Sequence, residues 1–401
     1  MRSGWIMILF TLLLASCGGG GDGQSAAPER ITFTGGGGLG IFDPSVMKNP
    51  AESRVWMSYS AVDSSVFYST DLYWGVSIRL AYSDDNGGTW HDEGVAVTPY
   101  TETAVGPMTV TAGQAPIDTL SAGIWQSETS SLVYDPGAVA GEEWKLIWFQ
   151  YLNADLINYF LDYSWIAMKI AASPQGLAAA QTVKLFGGFG IQSEGGIIAS
   201  PVFSPIGGTP AVALNADLTR AAVGESLSDL NTCVFAEPGL AATSSAVYLS
   251  IFCIDLSTLE ENLLHFKCDS PCDMTNAAGW EYLGKLLTPA DAAVLGRDHY
   301  QAPAIVRKGG RIYLLATPVD TAIGNRYDGC RAYEFTDIDT SHLVRSGPNL
   351  VEVAAANGEK DLHNGACDAF EDLDGGIIYS QFDPTLAPET FRIYKSGVII
   401  P

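Results

Sequence analysis

Three acids, Asp43, Glu128 and Glu237, stand near the beginnings of three short apolar runs that look alike. Asp43 lies in Ile41-Phe42-Asp43-Pro44-Ser45-Val46, Glu128 in Ser127-Glu128-Thr129-Ser130-Ser131-Leu132-Val133, and Glu237 in Val234-Phe235-Ala236-Glu237-Pro238-Gly239-Leu240. They are far apart along the chain and can work together only if those runs are brought side by side. Carboxyl groups gathered in one pit have a definite chemistry. One carboxylic acid protonates a leaving oxygen while a carboxylate activates water or attacks carbon, which is what cleavage of a glycosidic bond requires. Crowding also raises the pKa of one member, as a general acid needs. Each acid alone has an ordinary explanation: a turn cap for Asp43, a solvated strand end for Glu128, a surface acid for Glu237. Their shared placement weighs against coincidence.

The elements that must position them are hairpins. Each run turns into a second strand: Arg54 to Ser60, Trp144 to Phe149 and Ala246 to Phe252. The unit returns at Tyr300 to Val306 with Arg311 to Leu315, and at Gly365 to Phe370 with Ile377 to Ser380. Third strands read at Ile78–Ser83, Ile166–Ala172, Leu263–Cys268, Cys330–Phe335 and Phe391–Lys395. Fourth strands are predicted at Trp90–Val97, Gln181–Phe186, Trp280–Leu287 and Leu350–Ala354. Four antiparallel strands repeated five times predict an all-β chain, a five-bladed β-propeller of four-stranded antiparallel blades. The blades span about 39–98, 121–190, 230–288, 298–354 and 360–401, and residues 30–34 close the ring against the last one. A β-sandwich with a second β domain competes, but it leaves five similar hairpins unexplained.

Ser83-Asp84-Asp85-Asn86-Gly87-Gly88-Thr89-Trp90 fits the pattern Ser-x-Asp-x-Gly-x-Thr-Trp. It resembles the Asp-box turn of sialidase-type propellers, in which Ser83, Asp85, Gly87, Thr89 and Trp90 would be structural. Long connections, Asp63 to Ser77, 98–120, Asn153 to Trp165 and 188–230, are predicted on the face where first strands begin. They carry Tyr73, Trp74, Tyr163 and Trp165, whose rings offer flat faces to sugars or pack between blades. His299 and Gln301 open the fourth hairpin and are candidate contacts for substrate hydroxyls.

The order of acids on the first strands of blades one, two and three resembles the five-bladed propeller glycosidases, the arabinanase/β-xylosidase and invertase/levansucrase groups. Asp43-Pro44 is similar to their blade-one Asp-Pro, and the resemblance implies a general base. Glu237-Pro238 is similar to their blade-three acid and implies the general acid. Glu128 stands where that family has an Asp that orients substrate and modulates pKa. His363-Asn364-Gly365 is similar to the arabinanase histidine near a bound cation, often Ca²⁺; the resemblance implies that metal in the central channel, and no cofactor is otherwise required. A non-catalytic glycan- or protein-binding propeller is the alternative, and a sialidase-like hydrolase the third reading. The last needs three arginines and a nucleophilic Tyr, and Arg54, Arg79 and Arg326 do not fall at first-strand entrances.

Forty-five acids oppose 21 bases in the 401-residue chain, a net charge of −24 that repels phosphate, so nucleic acid is not an expected partner. Arg2, the apolar run Trp5 to Leu14 and Leu14-Ala15-Ser16-Cys17 read as a signal peptide over 1–16. The ending resembles a bacterial lipobox, implying lipid on Cys17, a flexible tether over 17–29, and a monomer held at the cell envelope by its anchor alone. A plain signal peptide is the alternative. The six remaining cysteines allow 15 pairings. The repeat register favours Cys233 with Cys253 and Cys268 with Cys272, leaving Cys330 and Cys367.

Overall fold

The computed structural model describes residues 28–34, 40–68, 71–108, 117–154, 157–158, 164–187, 192–193, 196–197, 204–205, 233–255, 258–275, 279–324 and 326–401. The expected leader and Cys17 lie outside them. Among the described residues no helix is long and apolar enough to cross a membrane.

The chain is a five-bladed β-propeller of antiparallel sheets. Blade three is the plainest: Cys233–Ala242, Ala246–Asp255, Glu261–Asp269 and Trp280–Leu287 follow one another across a four-stranded sheet. The hairpin turns are legible in the sequence. Lys308 pairs with Arg311 across Gly309-Gly310, whose φ values of 57° and 78° only glycine adopts freely, giving the primed turn that matches strand twist. In blade four the outer strand is Glu352–Ala356, paired with Cys330–Asp337.

Closure divides the N-terminal segment. Glu29–Arg30 adds to blade five beside Phe391–Lys395, and Phe33–Thr34 runs parallel to the outer strand of blade one. Two of the long connections prove to be sheet. Asp63 to Ser77 continues the second and third strands of blade one, Val55–Tyr68 and Asp71–Ser83. Much of 98–120 forms a hairpin in which Tyr100–Met108 pairs with the start of Ile117–Tyr134, the first strand of blade two.

Blades bury both faces, so the core lies between them and the strands read as nearly unbroken apolar runs. Trp125, Trp148 and Trp165 pack with Trp56 and Ile78 between blades one and two. Val46, Met57 and Trp90 pack with Ile378 and Ile393 between blades one and five. The turn that delivers Trp90 is held by Asp85, which accepts from Ser83 Oγ at 2.7 Å and from the Thr89 amide at 2.8 Å. The pairs Cys233–Cys253, Cys268–Cys272 and Cys330–Cys367 are disulfides; the third joins blade four to blade five.

Candidate active site

Each first strand carries one irregularity, and the site is built from all five. The pairing slips at Phe42/Ser45, Glu128/Ser131, Ala236/Pro238, Gln301/Ala304 and Gly365/Asp368. At every slip a residue other than glycine takes a left-handed backbone: Asp43, Thr129, Glu237, Ala302 and Ala366, with φ between 46° and 50°. Such a conformation costs about 1–2 kcal/mol, so the surroundings must enforce it. Proline follows at 44, 238 and 303, where a missing N–H is harmless because the ladder is already broken.

The bulges swing amides away from their own sheet and into the neighbouring blade. Asp43 N donates to Ser380 Oγ at 2.7 Å, Thr129 N to Ser60 Oγ at 3.0 Å, Ala302 N to Glu237 Oε2 at 2.7 Å, and Ala366 N to Thr317 Oγ1 at 2.9 Å. Four of the five bulges thus donate across a blade boundary, and Leu240 N, donating to Ser131 Oγ at 2.9 Å, spans the remaining one, around a small central cavity lined among others by Asp43, Thr129, Pro238, Ala302 and Ala366.

Asp43 and Glu237 are themselves bulge residues, which aims both side chains at the axis. Glu128 is offset by one: in blade two the left-handed residue is Thr129. The three acids therefore do not share one register. The offset lets Thr129 serve Asp43, whose Oδ2 accepts the Thr129 amide at 3.1 Å, the Thr129 hydroxyl at 3.1 Å and Ser60 Oγ at 3.2 Å. Glu237 accepts Tyr327 OH on Oε1 at 2.6 Å and the Ala302 amide on Oε2 at 2.7 Å. Glu128 is hydrogen-bonded by the Tyr151 hydroxyl.

The three carboxyls feel one another. Burial, then the charge of Glu237, pushes Asp43 up to about 7 against the donors on its Oδ2. Burial, then Asp43 and Glu237, pushes Glu128 up to about 8. Glu237 is raised by burial, opposed by Tyr327, Ala302 and the nearby His299. A fourth buried acid, Asp368, lines the same cavity and is pushed up to about 7 by burial; it accepts the Val46 amide at 2.8 Å. A cluster of acids so placed holds protons at neutral pH.

That has a consequence for stability. The folded chain retains protons that the unfolded chain, with ordinary carboxyls at 3.8 and 4.5, has released. Stability present below pH 4 is then lost as pH rises towards 8. The thermal midpoint should fall from pH 5 to pH 8, and Glu128→Gln should raise it at pH 8 by the equivalent of ~1 kcal/mol or more. Calorimetry across that range is the measurement; a midpoint that climbs with pH would contradict the burial of these groups.

Other expected site residues fare differently. Trp165 is 1% exposed, stacked on Trp125 with ring centroids 4.3 Å apart, and its indole N–H donates to Gln150 Oε1. It packs between blades rather than offering a face to a sugar. His299 is also 1% exposed, set against Phe252, with Nδ1 2.5 Å from Glu261 Oε2 and Nε2 facing Gln301 Nε2 at 2.9 Å. It backs Glu237 and has no surface for substrate, whereas Gln301 stays partly accessible. The side chains of Tyr73 and Trp74, and all of Tyr163, lie outside what is described.

His363 meets Phe382 edge-on, and burial and the Arg326 charge lower its pKa. Among the described residues no three His, Cys, Asp or Glu side chains converge as metal ligands. The Ca²⁺ site implied near His363 thus does not fit the donors there, with a guanidinium as its charged neighbour. Arg54 is paired with Asp84, and Arg79 with Asp92, both away from the carboxyl cluster. Burial and the adjacent carboxylates hold the Tyr151 and Tyr327 phenols protonated, as hydrogen-bond donors.

No family model and no curated protein matches the sequence. Solved structures with a similar chain path include a thermostable family-43 glycoside hydrolase, at 12% identity and TM-score 0.47, covering 91% of each chain. A family 117 glycoside hydrolase produced by the marine bacterium Zobellia galactanivorans aligns at 13% identity and TM-score 0.44, over 93% of this chain and 89% of that one. An endo-arabinase from Bacteroides thetaiotaomicron aligns at 12% identity and TM-score 0.43, over 93% and 97%.

Proposed function

We propose that the carboxyl cluster hydrolyses a glycosidic bond in an oligosaccharide or polysaccharide. A propeller alone hosts unrelated functions, so the proposal rests on the site. The observation that carries it is the meeting of Asp43, Glu128 and Glu237 from three different blades, each with a proton affinity raised by burial, and Asp43 and Glu128 further by their fellows. In the roles we assign, Glu237 protonates the departing oxygen and the carboxylate of Asp43 activates water or attacks the sugar. Glu128, itself held protonated by burial and by its neighbours, orients the ring. The donors on Asp43 Oδ2 suit a group that works ionised, and the burial of Glu237 suits a neighbour that works protonated. Lipid on Cys17 would hold the enzyme at the bacterial envelope.

The test is release of product from a panel of aryl glycosides and oligosaccharides by the purified mature chain. Cleavage of one member, with accumulation of reducing sugar, is expected. Sugars that bind without turnover would instead make this a glycan-binding propeller.

A further inference from the structure

Each oxygen of Glu237 has a donor from another element, and one of those donors lies in a stretch with no sequence motif. Tyr327 sits on the two-residue strand Arg326–Tyr327, which pairs with the second strand of blade four through Val319 and Asp320. So short a strand needs bracing. Asp328 takes the Arg297 guanidinium, with Nε at 2.8 Å, and its amide donates to Pro318 O at 2.9 Å. It also bridges in parallel to Asn364 of blade five, and the Cys330–Cys367 disulfide follows two residues later. The ring needs room as well. A Cβ on Gly365 would lie 2.7 Å from Tyr327 Cδ2 and would crowd Thr317, so blade five must have glycine there.

We propose, resting on the glycosidase reading above, that Tyr327 is the positioning residue for Glu237 and that Gly365 maintains the space for its ring. With Ala302 N on Oε2 and Tyr327 OH on Oε1, the carboxyl is pinned at both oxygens and cannot rotate. When the Glu237 proton moves to the departing oxygen, the C–O bond breaks and its electron pair goes to that oxygen. The negative charge left on Glu237 is then held by a hydroxyl already in place, and Tyr327 keeps its own proton. A charge-assisted hydrogen bond of this kind strengthens as the carboxylate forms, so it favours the transition state over the ground state.

Tyr327→Phe removes the hydroxyl and little else. The bond favours the ionised carboxyl, so its loss raises the Glu237 pKa further. The expected result is a fall in kcat of ~10- to 100-fold with KM nearly unchanged. The alkaline limb of the pH profile should move up. A second readout does not depend on turnover: the Glu237 carboxyl is titrated by difference infrared spectroscopy, with Glu237→Gln identifying its band. The band should titrate higher in Tyr327→Phe, and higher again than wild type in Gly365→Ala, which displaces the ring but keeps the hydroxyl. An unmoved band in Tyr327→Phe overturns the proposal, even if activity falls. A moved band in a protein that cleaves no sugar keeps the proposal and removes the glycosidase reading instead.

Discussion

Glu237→Gln should lower kcat on an unactivated glycoside by about 100- to 10,000-fold, and Asp43→Asn should do at least as much. The two losses should differ in kind. A leaving group such as dinitrophenolate departs without protonation, so Glu237→Gln should keep most of its activity on a dinitrophenyl glycoside. Asp43→Asn should not, because that substrate still needs water activated or carbon attacked. Both amides fit their sites. In Glu237→Gln the side-chain oxygen would stay on the Ala302 amide while the Tyr327 hydroxyl rotates to accept from the new NH₂. In Asp43→Asn the carboxamide oxygen would take the three donors that now converge on Oδ2. Removing a crowded carboxyl also relieves repulsion, so the thermal midpoint of either variant at neutral pH should hold or rise while activity falls. Full activity of both variants on an unactivated substrate would end the assignment. Equal loss on both substrates for Glu237→Gln would reverse its role.

Much of this was legible in the sequence because strands and turns are local. Glycine pairs with positive φ mark hairpins, and apolar runs bounded by them mark blades. Two cysteine pairs were suggested by the repeat register, and the third was only what they left over. The site was legible only as far as its acids, for the same reason. Whether Glu128 or Thr129 takes the left-handed position depends on which of them serves the neighbouring blade, and no local pattern records that. A Thr in a left-handed conformation even runs against propensity, since its branched Cβ disfavours it. Tyr327 was missed because its strand is two residues long and owes its place to Arg297 and blade five. Asp368 was visible two residues past the bulge of blade five, where blades one and two have Ser45 and Ser131. The signal was there once the bulges, rather than the acids, set the alignment. Trp165 and His299 misled in the opposite direction. An aromatic ring or imidazole at a strand end looks the same in sequence whether it lines a funnel or packs beneath it.

The same dependence on neighbours governs the largest single stability effect expected. Lys145 and Asp135 are 1% and 0% exposed, with Nζ 2.8 Å from Oδ2, at the turn between the first two strands of blade two. The turn is laced through both: Lys145 Nζ donates to Glu142 O at 2.9 Å, Gly137 N to Asp135 Oδ1 at 2.9 Å, and Asp135 N to Glu143 O at 2.7 Å. Lys145→Met fills the same volume but leaves a buried carboxylate with the Gly137 amide as its remaining side-chain donor. Breaking one half of such a pair should cost about 3–5 kcal/mol, because the surviving charge is stranded away from water. Replacing both halves, Lys145→Met with Asp135→Asn, should recover most of that loss, so the double-mutant cycle should show strong coupling. The deficit should persist in molar salt, since a buried pair is poorly screened, while loss of the exposed Arg54–Asp84 pair should pass unnoticed. Chemical denaturation of the four proteins makes the measurement. Because the pair sits at the far end of its strands from the carboxyl cluster, kcat of the folded fraction should be unchanged. Additive losses, or a single substitution that costs almost nothing, would mean that backbone geometry and not the ion pair holds this turn.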